Sequence, residues 1–397
     1  MPFQENKIYQ SVLFGFFGFF CLALILLPKL SAAAEVSFVP GITLATEYED
    51  NIDFNSNSND AKDDFAGSAI PNARLRYRTE RLDLNGNASL DFKKYLHDTE
   101  FDRTNQLYAI RTEYQAYRRW TLYGNYSFTR DETIDSHFEE TGQVFERKRE
   151  QRQDAKFGLQ FALTELTDIG SFVSYRRSDF SGRDSTDYDL YTIELPCTKK
   201  LQNQIDAIGI TPAYSHYNSD DNEEANDYRL SFDWEHLLSE TLTFSMTVGP
   251  RYTTVKDVNG DENSNYGSVG AIGLNKKGET FTGDIRYSRE LRSTTEGEII
   301  NVDRLYVFVD KLITERFGAR FKGNAYYSDR ENKNDPNDKT VSFELVPALY
   351  YMITENYFAE LSYNYRKEHE LSESGNPSTQ SNSVMLSFNF TFPKLWD

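Results

Sequence analysis

Over most of its length the chain alternates between apolar and polar residues. In residues 384–392, apolar side chains occupy every second position, and Ser387, Asn389 and Thr391 lie between them. Successive side chains of a β-strand point to opposite faces, so this segment predicts a strand with one apolar face and one polar face. The fold prediction depends on whether the same alternation recurs through the chain.

It recurs from residue 36 to residue 392 as one repeated unit: a strand, a tight turn, a second strand and a long polar loop. The acidic, Asn-rich segment 49–64 is the first of these loops. We count about eighteen strands of about 10–13 residues, long enough to cross a bilayer when tilted. Such a pattern predicts an all-β fold, a transmembrane antiparallel up-and-down β-barrel. The alternative is a soluble sandwich or solenoid, in which the apolar faces would pack on a core.

Aromatic residues end the apolar face of each strand that runs toward a long loop. These residues are Tyr48, Phe92, Phe128, Tyr175, Tyr214, Tyr252, Tyr287, Tyr327 and Tyr365. A row of aromatic side chains at one height is typical of the girdle that a membrane barrel places at the lipid–water interface. A soluble sandwich has no physical reason to carry such a row, so the aromatic residues favour the membrane barrel.

Charged residues occupy the opposite face of the strands. The candidates for the lumen lining are Arg74, Arg76, Arg78, Arg111, Asp284, Arg286, Arg316, Arg320, Lys322, Glu344 and Glu360. A charge that faces lipid at mid-depth costs about 2–4 kcal/mol, so these side chains are expected to face the barrel interior. Eighteen strands enclose more space than side chains fill. We therefore predict a polar channel lined by both signs of charge, unless a loop closes it.

The third long loop, residues 131–150, is among the longest and carries many charged residues. Its candidate constriction residues are Asp131, Glu132, Asp135, Glu139 and Glu140. The loop resembles the third loop of general porins, which folds into the channel and places acids opposite a wall of arginines. The resemblance implies a constriction against the three arginines at positions 74, 76 and 78. The simpler expectation from the sequence is a loop that extends outward.

The N-terminal segment, residues 1–34, is predicted to be a cleaved secretory signal peptide. Lys7 precedes the apolar run from Val12 to Leu27, and small residues precede Glu35. A membrane anchor is the alternative. Residues 35–397 are then the barrel, with Cys197 as its single cysteine and no internal disulfide.

Composition and motifs argue against several other function classes. The formal net charge of −19 argues against a nucleic-acid partner. Residues 216–219 resemble, with Asn and Ser in swapped order, the His-x-Ser-Asn run of outer-membrane phospholipases. His216 and Ser219 fall on opposite strand faces, however, and could not share a proton. We predict no enzyme and no cofactor.

Two acidic segments, residues 220–224 and 257–261, weakly resemble calcium loops. Neither has the glycine at position six or the spaced final glutamate of an EF-hand. We interpret both as solvated hairpin loops and predict no metal site. Loose binding of divalent cations beside lipopolysaccharide is the alternative.

The segment from Thr46 to Ile52, followed by a Ser/Asn/Asp run, resembles the opening of a family of outer-membrane barrels called beta-barrel porin type 2. Its members often lie with exopolysaccharide export loci, so the resemblance implies a polysaccharide conduit. The aromatic C-terminal strand also resembles the strand that the barrel assembly machinery recognises.

We therefore expect a bacterial outer-membrane pore for polysaccharide or small polar solutes, in contact with outer-membrane lipid and lipopolysaccharide. A lumen of mixed charge suits a neutral or mildly charged cargo better than a polyanion. The alternative function is a non-conducting structural or adhesive barrel whose acidic loops bind surface partners.

Overall fold

The structure is a computed structural model. It describes residues 34–57, 61–143, 147–182, 186–221, 223–256, 260, 262–294, 299–330, 339–371 and 377–394. The predicted signal peptide lies outside these residues except for Ala34, and so do residues 222, 257–259 and 261 of the two acidic segments. Their interpretation stays a prediction.

Nineteen β-strands within the described residues form one antiparallel sheet. The strands are β1 (Glu35–Glu49), β2 (Asp64–Arg78), β3 (Leu82–Tyr95), β4 (Arg103–Tyr117), β5 (Trp120–Glu132), β6 (Arg149–Ala162), β7 (Thr167–Phe180), β8 (Tyr188–Glu194), β9 (Cys197–Lys200), β10 (Asp206–Ser219), β11 (Glu224–Ser239), β12 (Leu242–Lys256), β13 (Glu262–Lys277), β14 (Phe281–Ser293), β15 (Ile299–Leu312), β16 (Phe317–Arg330), β17 (Lys339–Met352), β18 (Tyr357–Leu371) and β19 (Ser378–Thr391). A 3₁₀ turn at Thr99–Phe101 precedes β4, and the α-helix α1 (Thr133–Thr141) follows β5.

The sheet closes on itself because β1 pairs with both β2 and β19. Thr43 Oγ1 donates a hydrogen bond to Asn389 Oδ1 at 2.7 Å across this seam. The two short strands β8 and β9 lie end to end, and both pair with β7 and β10, so they fill a single position. Pro196, which has no N–H to donate, separates them. The protein is thus a closed antiparallel barrel of eighteen strand positions, which confirms the predicted fold class.

The outer surface of the barrel is apolar. Leu305, Ile272 and Leu361 lie on the outward parity of their strands and remain 44%, 49% and 49% exposed. No helix among the described residues is long and apolar enough to cross a bilayer. The soluble alternative required these faces to be buried on a core, and it is wrong. A closed barrel with an apolar exterior is the architecture of outer-membrane proteins. The chain is therefore an outer-membrane barrel with its long loops on the extracellular side.

Short turns join the strands at the other, periplasmic end. In the turn between β15 and β16, the backbone N–H of Phe317 donates to the Thr314 hydroxyl at 3.0 Å, and the N–H of Thr314 donates to the Phe317 carbonyl at 3.0 Å. These bonds reverse the chain before the strand begins. Arg316 consequently lies exposed in the turn, and its prediction as a strand residue lining the lumen is wrong.

Candidate functional site

The helix α1 is the part of the third loop that lies inside the barrel. The expectation that this loop extends outward is wrong. Two hydrogen bonds hold the base of the loop: Thr133 N donates to the Lys148 carbonyl and Lys148 N to the Thr133 hydroxyl, each at 2.9 Å. The helix ends at Gly142, whose φ of +74° is left-handed. A Cβ there would lie 2.5 Å from the Tyr326 Cβ, so only glycine fits.

An apolar cluster inside the lumen explains why the helix packs inward. Ile134 and Phe138 of α1 contact Ile300 and Val302 of β15 and Tyr326 of β16, all 2% exposed or less. The Phe138 and Tyr326 rings meet edge to face, with centroids 6.1 Å apart. Burial of such side chains contributes roughly 1.5–3 kcal/mol each. The helix is therefore attached to the wall by hydrophobic packing as well as by charge.

Side chains of the wall also bind the backbone of the helix. The Tyr326 hydroxyl donates to the Glu139 carbonyl at 2.7 Å, and the Ser342 hydroxyl donates to the Gly142 carbonyl. Just beyond the helix, Gln143 Nε2 donates to the Ser328 hydroxyl at 2.6 Å. These contacts come from β16 and β17. They fix both the position and the rotation of α1 against that wall.

The carboxylates of α1 form ion pairs with widely separated strands. Asp135 lies 3.1 Å from the guanidinium of Arg103 in β4 and 3.5 Å from that of Arg366 in β18. Glu139 accepts from Lys322 of β16 at 2.8 Å. Burial raises the pKa of Asp135, but the surrounding cations, with Arg103 and Arg366 contributing most, outweigh burial and lower this pKa to about 2. The carboxylate is therefore charged at neutral pH.

Glu140 extends away from the wall formed by β16 and β17. Its carboxylate lies 2.9 Å from Arg152 of β6, 3.3 Å from Arg176 of β7 and 3.9 Å from Arg292 of β14. Burial raises the pKa of Glu140. The three arginines lower this pKa, and their effect exceeds that of burial, so the net shift is downward. One carboxylate thus connects the helix to three strands across the lumen.

The described N-terminal part of the first loop, residues 50–57, also lies inside the barrel and contacts the third loop. Arg147 Nη1 donates to the Ile52 carbonyl at 2.9 Å and also pairs with Glu132, which lies 3.1 Å from Arg103. The Phe54 ring lies 5.7 Å from that of Phe138. The two loops therefore occupy the extracellular half of the lumen together.

A second apolar cluster lies near the extracellular end of the strands. Its members are Phe180, Tyr188, Tyr217, Ala225, Val255 and Ile299. It joins β7, β8, β10, β11, β12 and β15, and the His137 ring of α1 lies 5.4 Å from its Phe180 ring. The cluster and the helix therefore meet near the extracellular end of the lumen.

Two cavities remain in the lumen beside the helix. One, of about 980 Å³, is lined by Glu140 and by charged residues of both signs, including Arg176 and Asp227. The other, of about 810 Å³, is lined by Glu139, Arg304 and further residues of β6 to β15. Cationic and anionic side chains line both cavities. A solute in either one would meet hydrogen-bond donors as well as acceptors.

The predicted lumen residues take different positions relative to these cavities. Arg111 lines the larger cavity, and Asp284 and Arg286 line the smaller one. Arg320 pairs with Asp310 and Glu360 at 2.9 and 3.0 Å.

Glu344 lies beside the helix anchors. Its carboxylate is 3.5 Å from Lys322 and 3.2 Å from Arg366. Asp131, in β5, lies opposite Glu150 of β6.

The arginines that face the third-loop acids are not the predicted arginines of β2. Arg74, Arg76 and Arg78 are exposed on β2, and Arg76 and Arg78 lie 2.9 and 4.0 Å from Asp83 instead. These arginines sit toward the periplasmic end, whereas the helix lies in the extracellular half. The residues that the sequence reasoning missed are Arg103, Arg152, Arg176, Arg292 and Arg366.

Most predicted girdle residues lie in aromatic rows on the outer surface. The rings of Tyr214, Tyr228, Tyr252 and Tyr266 follow one another with centroid separations of 5.1, 6.3 and 4.9 Å. Tyr48 lies 4.9 Å from Phe65, and Tyr175 lies 5.0 Å from Tyr191. Tyr287, Tyr327 and Phe92 are exposed on the same parity, and Tyr365 is half-buried. Their role as a girdle stays a prediction.

Phe128 differs from the other predicted girdle residues because it is buried, with 8% of its surface exposed. Its ring stacks on that of Tyr108, with centroids 6.1 Å apart. Sequence reasoning also missed the partner rings on the descending strands. The cross-strand register, which pairs Tyr214 with Tyr228 and Tyr252 with Tyr266, identifies them.

The phospholipase-like residues are not brought together. His216 Nδ1 lies 3.0 Å from Asn226 Oδ1, whereas the buried Ser219 hydroxyl donates to the Glu223 carbonyl at 3.3 Å. Among the described residues, no group of three His, Cys, Asp or Glu side chains is placed to hold a metal ion.

No family model matches the sequence, and no curated protein sequence matches it. Solved structures with similar folds include the following three outer-membrane proteins. The FrpB iron transporter from Neisseria meningitidis (F5-1 variant) has a TM-score of 0.47 and 8% identity, over 89% of this chain and 82% of that one. The outer membrane channel DcaP of Acinetobacter baumannii has a TM-score of 0.45 and 12% identity, over 91% and 98%. Pseudomonas aeruginosa OpdL has a TM-score of 0.45 and 10% identity, over 91% and 99%. At identities this low, the cargo of this chain must be argued from its own lumen.

Proposed function

We propose that the protein is an outer-membrane pore for small polar solutes, with α1 as its constriction. The observation that carries this proposal is the inward helix, which is held against β16 and β17 and ion-paired across the lumen through Glu140. In a barrel of eighteen strands, such a helix reduces a wide lumen to the space beside it. The remaining space is charged and therefore hydrated.

The size of that space favours small solutes over polymers. Cavities of about 980 and 810 Å³ are in the range that holds one small molecule. The polysaccharide conduit implied by the resemblance to beta-barrel porin type 2 requires α1 to leave the lumen first. A glycan cargo therefore requires a displacement of α1 that a small solute does not require.

The charges around the cavities favour neutral or zwitterionic solutes. Arg229, Arg292 and Lys156 face both cavities, and Glu290 does as well. An ion of either sign meets repulsion from some of these groups and attraction from others. A molecule that carries both charges, or only hydroxyl groups, meets no net barrier.

A non-conducting barrel is the second candidate, and one observation favours it. The first and third loops, together with the apolar cluster of residues 180, 188, 217, 225, 255 and 299, all converge on the extracellular mouth. If these parts pack without a gap, the lumen is a cavity that opens to the periplasm alone.

Conductance in a planar bilayer tests both candidates. In the key variant, residues 133–148 are replaced by Asn-Gly, because Glu132 and Arg149 are already a cross-strand pair that a two-residue turn can join. We expect small conductance steps from the natural protein and steps several-fold larger from the variant. Equal steps would refute α1 as the constriction. Silence from the natural protein would favour the second candidate, and heat-modifiable migration in gels confirms that each barrel is folded.

A further inference from the structure

A cationic cavity lies on the outer wall of the barrel, away from the lumen. It measures about 260 Å³ and spans β3 to β6 at their extracellular ends. Four cationic side chains and one carboxylate line it, namely Lys94, Arg103, Arg130, Arg149 and Asp102. The chain as a whole carries a net charge of −19. A place where cations outnumber acids four to one is therefore unusual for this protein.

Three of the cations lie on the lipid-facing parity of their strands. Lys94 follows Phe92 by two positions, and Arg130 follows Phe128 by two. Arg149 shares the parity of Phe157, which is 60% exposed on the outside of the barrel. The fourth cation, Arg103, points inward, since it pairs with Glu132 and Asp135 and its side chain is 8% exposed.

The cavity lies just above the aromatic residues of the outer surface. Gln106 and Arg130 form the cross-strand pair two positions nearer the loops than Tyr108 and Phe128. In an outer-membrane barrel the aromatic residues mark the lipid–water interface. The cations therefore lie at the depth of the lipid headgroups, with the apolar wall directly below them.

The side chains are arranged so that they can accept an anion from the lipid side. Arg149 Nη2 donates to the Thr104 carbonyl at 3.2 Å, which leaves the other donors of its guanidinium fork for a ligand. Lys94 Nζ lies 2.7 Å from Asp102, and the Lys94 side chain is 73% exposed. Arginine forks match phosphate oxygens in geometry as well as in charge.

We infer that this outer cavity binds the phosphate of an outer-leaflet glycolipid, the lipid A part of lipopolysaccharide. The phosphate lies between Lys94, Arg130 and Arg149, and the acyl chains follow the apolar wall below Phe92 and Tyr108. A site of this kind fixes the rotation and depth of the barrel in the membrane. It does not depend on whether the lumen conducts.

Native mass spectrometry with added lipid A tests the inference on the full barrel. The variant Lys94→Gln/Arg130→Gln/Arg149→Gln removes the three donors. The control Arg118→Gln/Arg119→Gln/Lys277→Gln removes the same charge from exposed positions at the periplasmic end. We expect at least about ten-fold weaker binding of bisphosphorylated lipid A by the first variant and unchanged binding by the control.

Two further ligands separate the sources of the phosphate. Dephosphorylated lipid A should bind the natural protein as weakly as phosphorylated lipid A binds the triple variant. Equal binding of both lipids, or unchanged binding by the triple variant, would overturn the inference. Inorganic phosphate that competes at the affinity of lipid A would identify a free anion as the ligand and overturn the lipid assignment. If the triple variant does not fold, Lys94→Gln alone should still weaken lipid A binding several-fold, and unchanged binding by it would refute the site.

Discussion

The two sides of the lumen hold the helix in different ways. On the side of β16 and β17, Tyr326 and Ser342 donate to backbone carbonyls of α1, and the apolar side chains of the helix are buried there. On the side of β6, β7 and β14, polar side chains make the contacts. Glu140 pairs with Arg152, Arg176 and Arg292, and Ser136 and His137 lie 3.1 and 3.4 Å from the Glu150 carboxylate. Backbone hydrogen bonds and apolar packing require one geometry, whereas an ion pair tolerates several. The helix is therefore anchored on one wall by packing and backbone hydrogen bonds, and tethered to the other through polar side chains that include Glu140.

Disturbing the anchored side should have the largest effect. In Gly142→Ala, the alanine must adopt a left-handed φ, which costs about 1–2 kcal/mol, and its Cβ overlaps Tyr326. We expect α1 to leave its position, so that conductance in planar bilayers rises and current noise increases. The matched control is Gly67→Ala, because a Cβ at Gly67 meets nothing within 4 Å. Conductance as in the natural protein would show that the anchored wall does not set the channel width.

Weakening the tether at Glu140 should have a smaller effect. Glu140→Gln takes a charged partner from three arginines, although Arg152 and Arg176 keep Asp154 at 3.7 and 2.6 Å. Loss of a charge-assisted contact costs about 1.5–3 kcal/mol. We expect brief openings between levels in single-channel recordings while the mean conductance changes little. Glu315→Gln, in an exposed turn, is the control for the charge change. A variant that behaves like a deletion of the whole loop would contradict the distinction between anchor and tether.

Mild acid should have the smallest effect. The pKa of Asp135 is lowered to about 2 and that of Glu140 is also lowered, so both carboxylates stay charged below the usual range of about 4. A lowered pKa means that the stabilising contribution is complete at neutral pH and is lost only as the pH falls through the folded-state pKa. We expect constant conductance from pH 7 to about pH 4.5 and an increase only toward pH 2. A transition centred between pH 4 and 5 would show that other groups hold the helix.

The barrel wall follows from local sequence, because an apolar position at every second residue is enough to separate a lipid face from a lumen face. The inward position of α1 cannot be predicted from local sequence, because Phe138 packs on Ile300 and Val302, which are far away in the chain. One signal was present in the sequence: these two residues and Tyr326 are apolar side chains on the lumen-facing parity of their strands. Asp135 of the third loop pairs with Arg103 and Arg366 instead of the predicted arginines of β2. Strand pairing sets the height of each charged side chain along the barrel axis, and composition does not encode that pairing.

The pairing of β1 with β19 has a consequence for how the molecule is made. Around the rest of the sheet, neighbouring positions are joined by short turns or loops, so each hairpin can form while the chain is still being inserted. Only the seam joins residues as distant as Thr43 and Asn389, which are 346 positions apart. Its formation therefore carries the largest entropic cost of loop closure. Until β1 pairs with β19, the unpaired edges of these two strands can pair with other chains. Misassembly therefore competes with folding at this step.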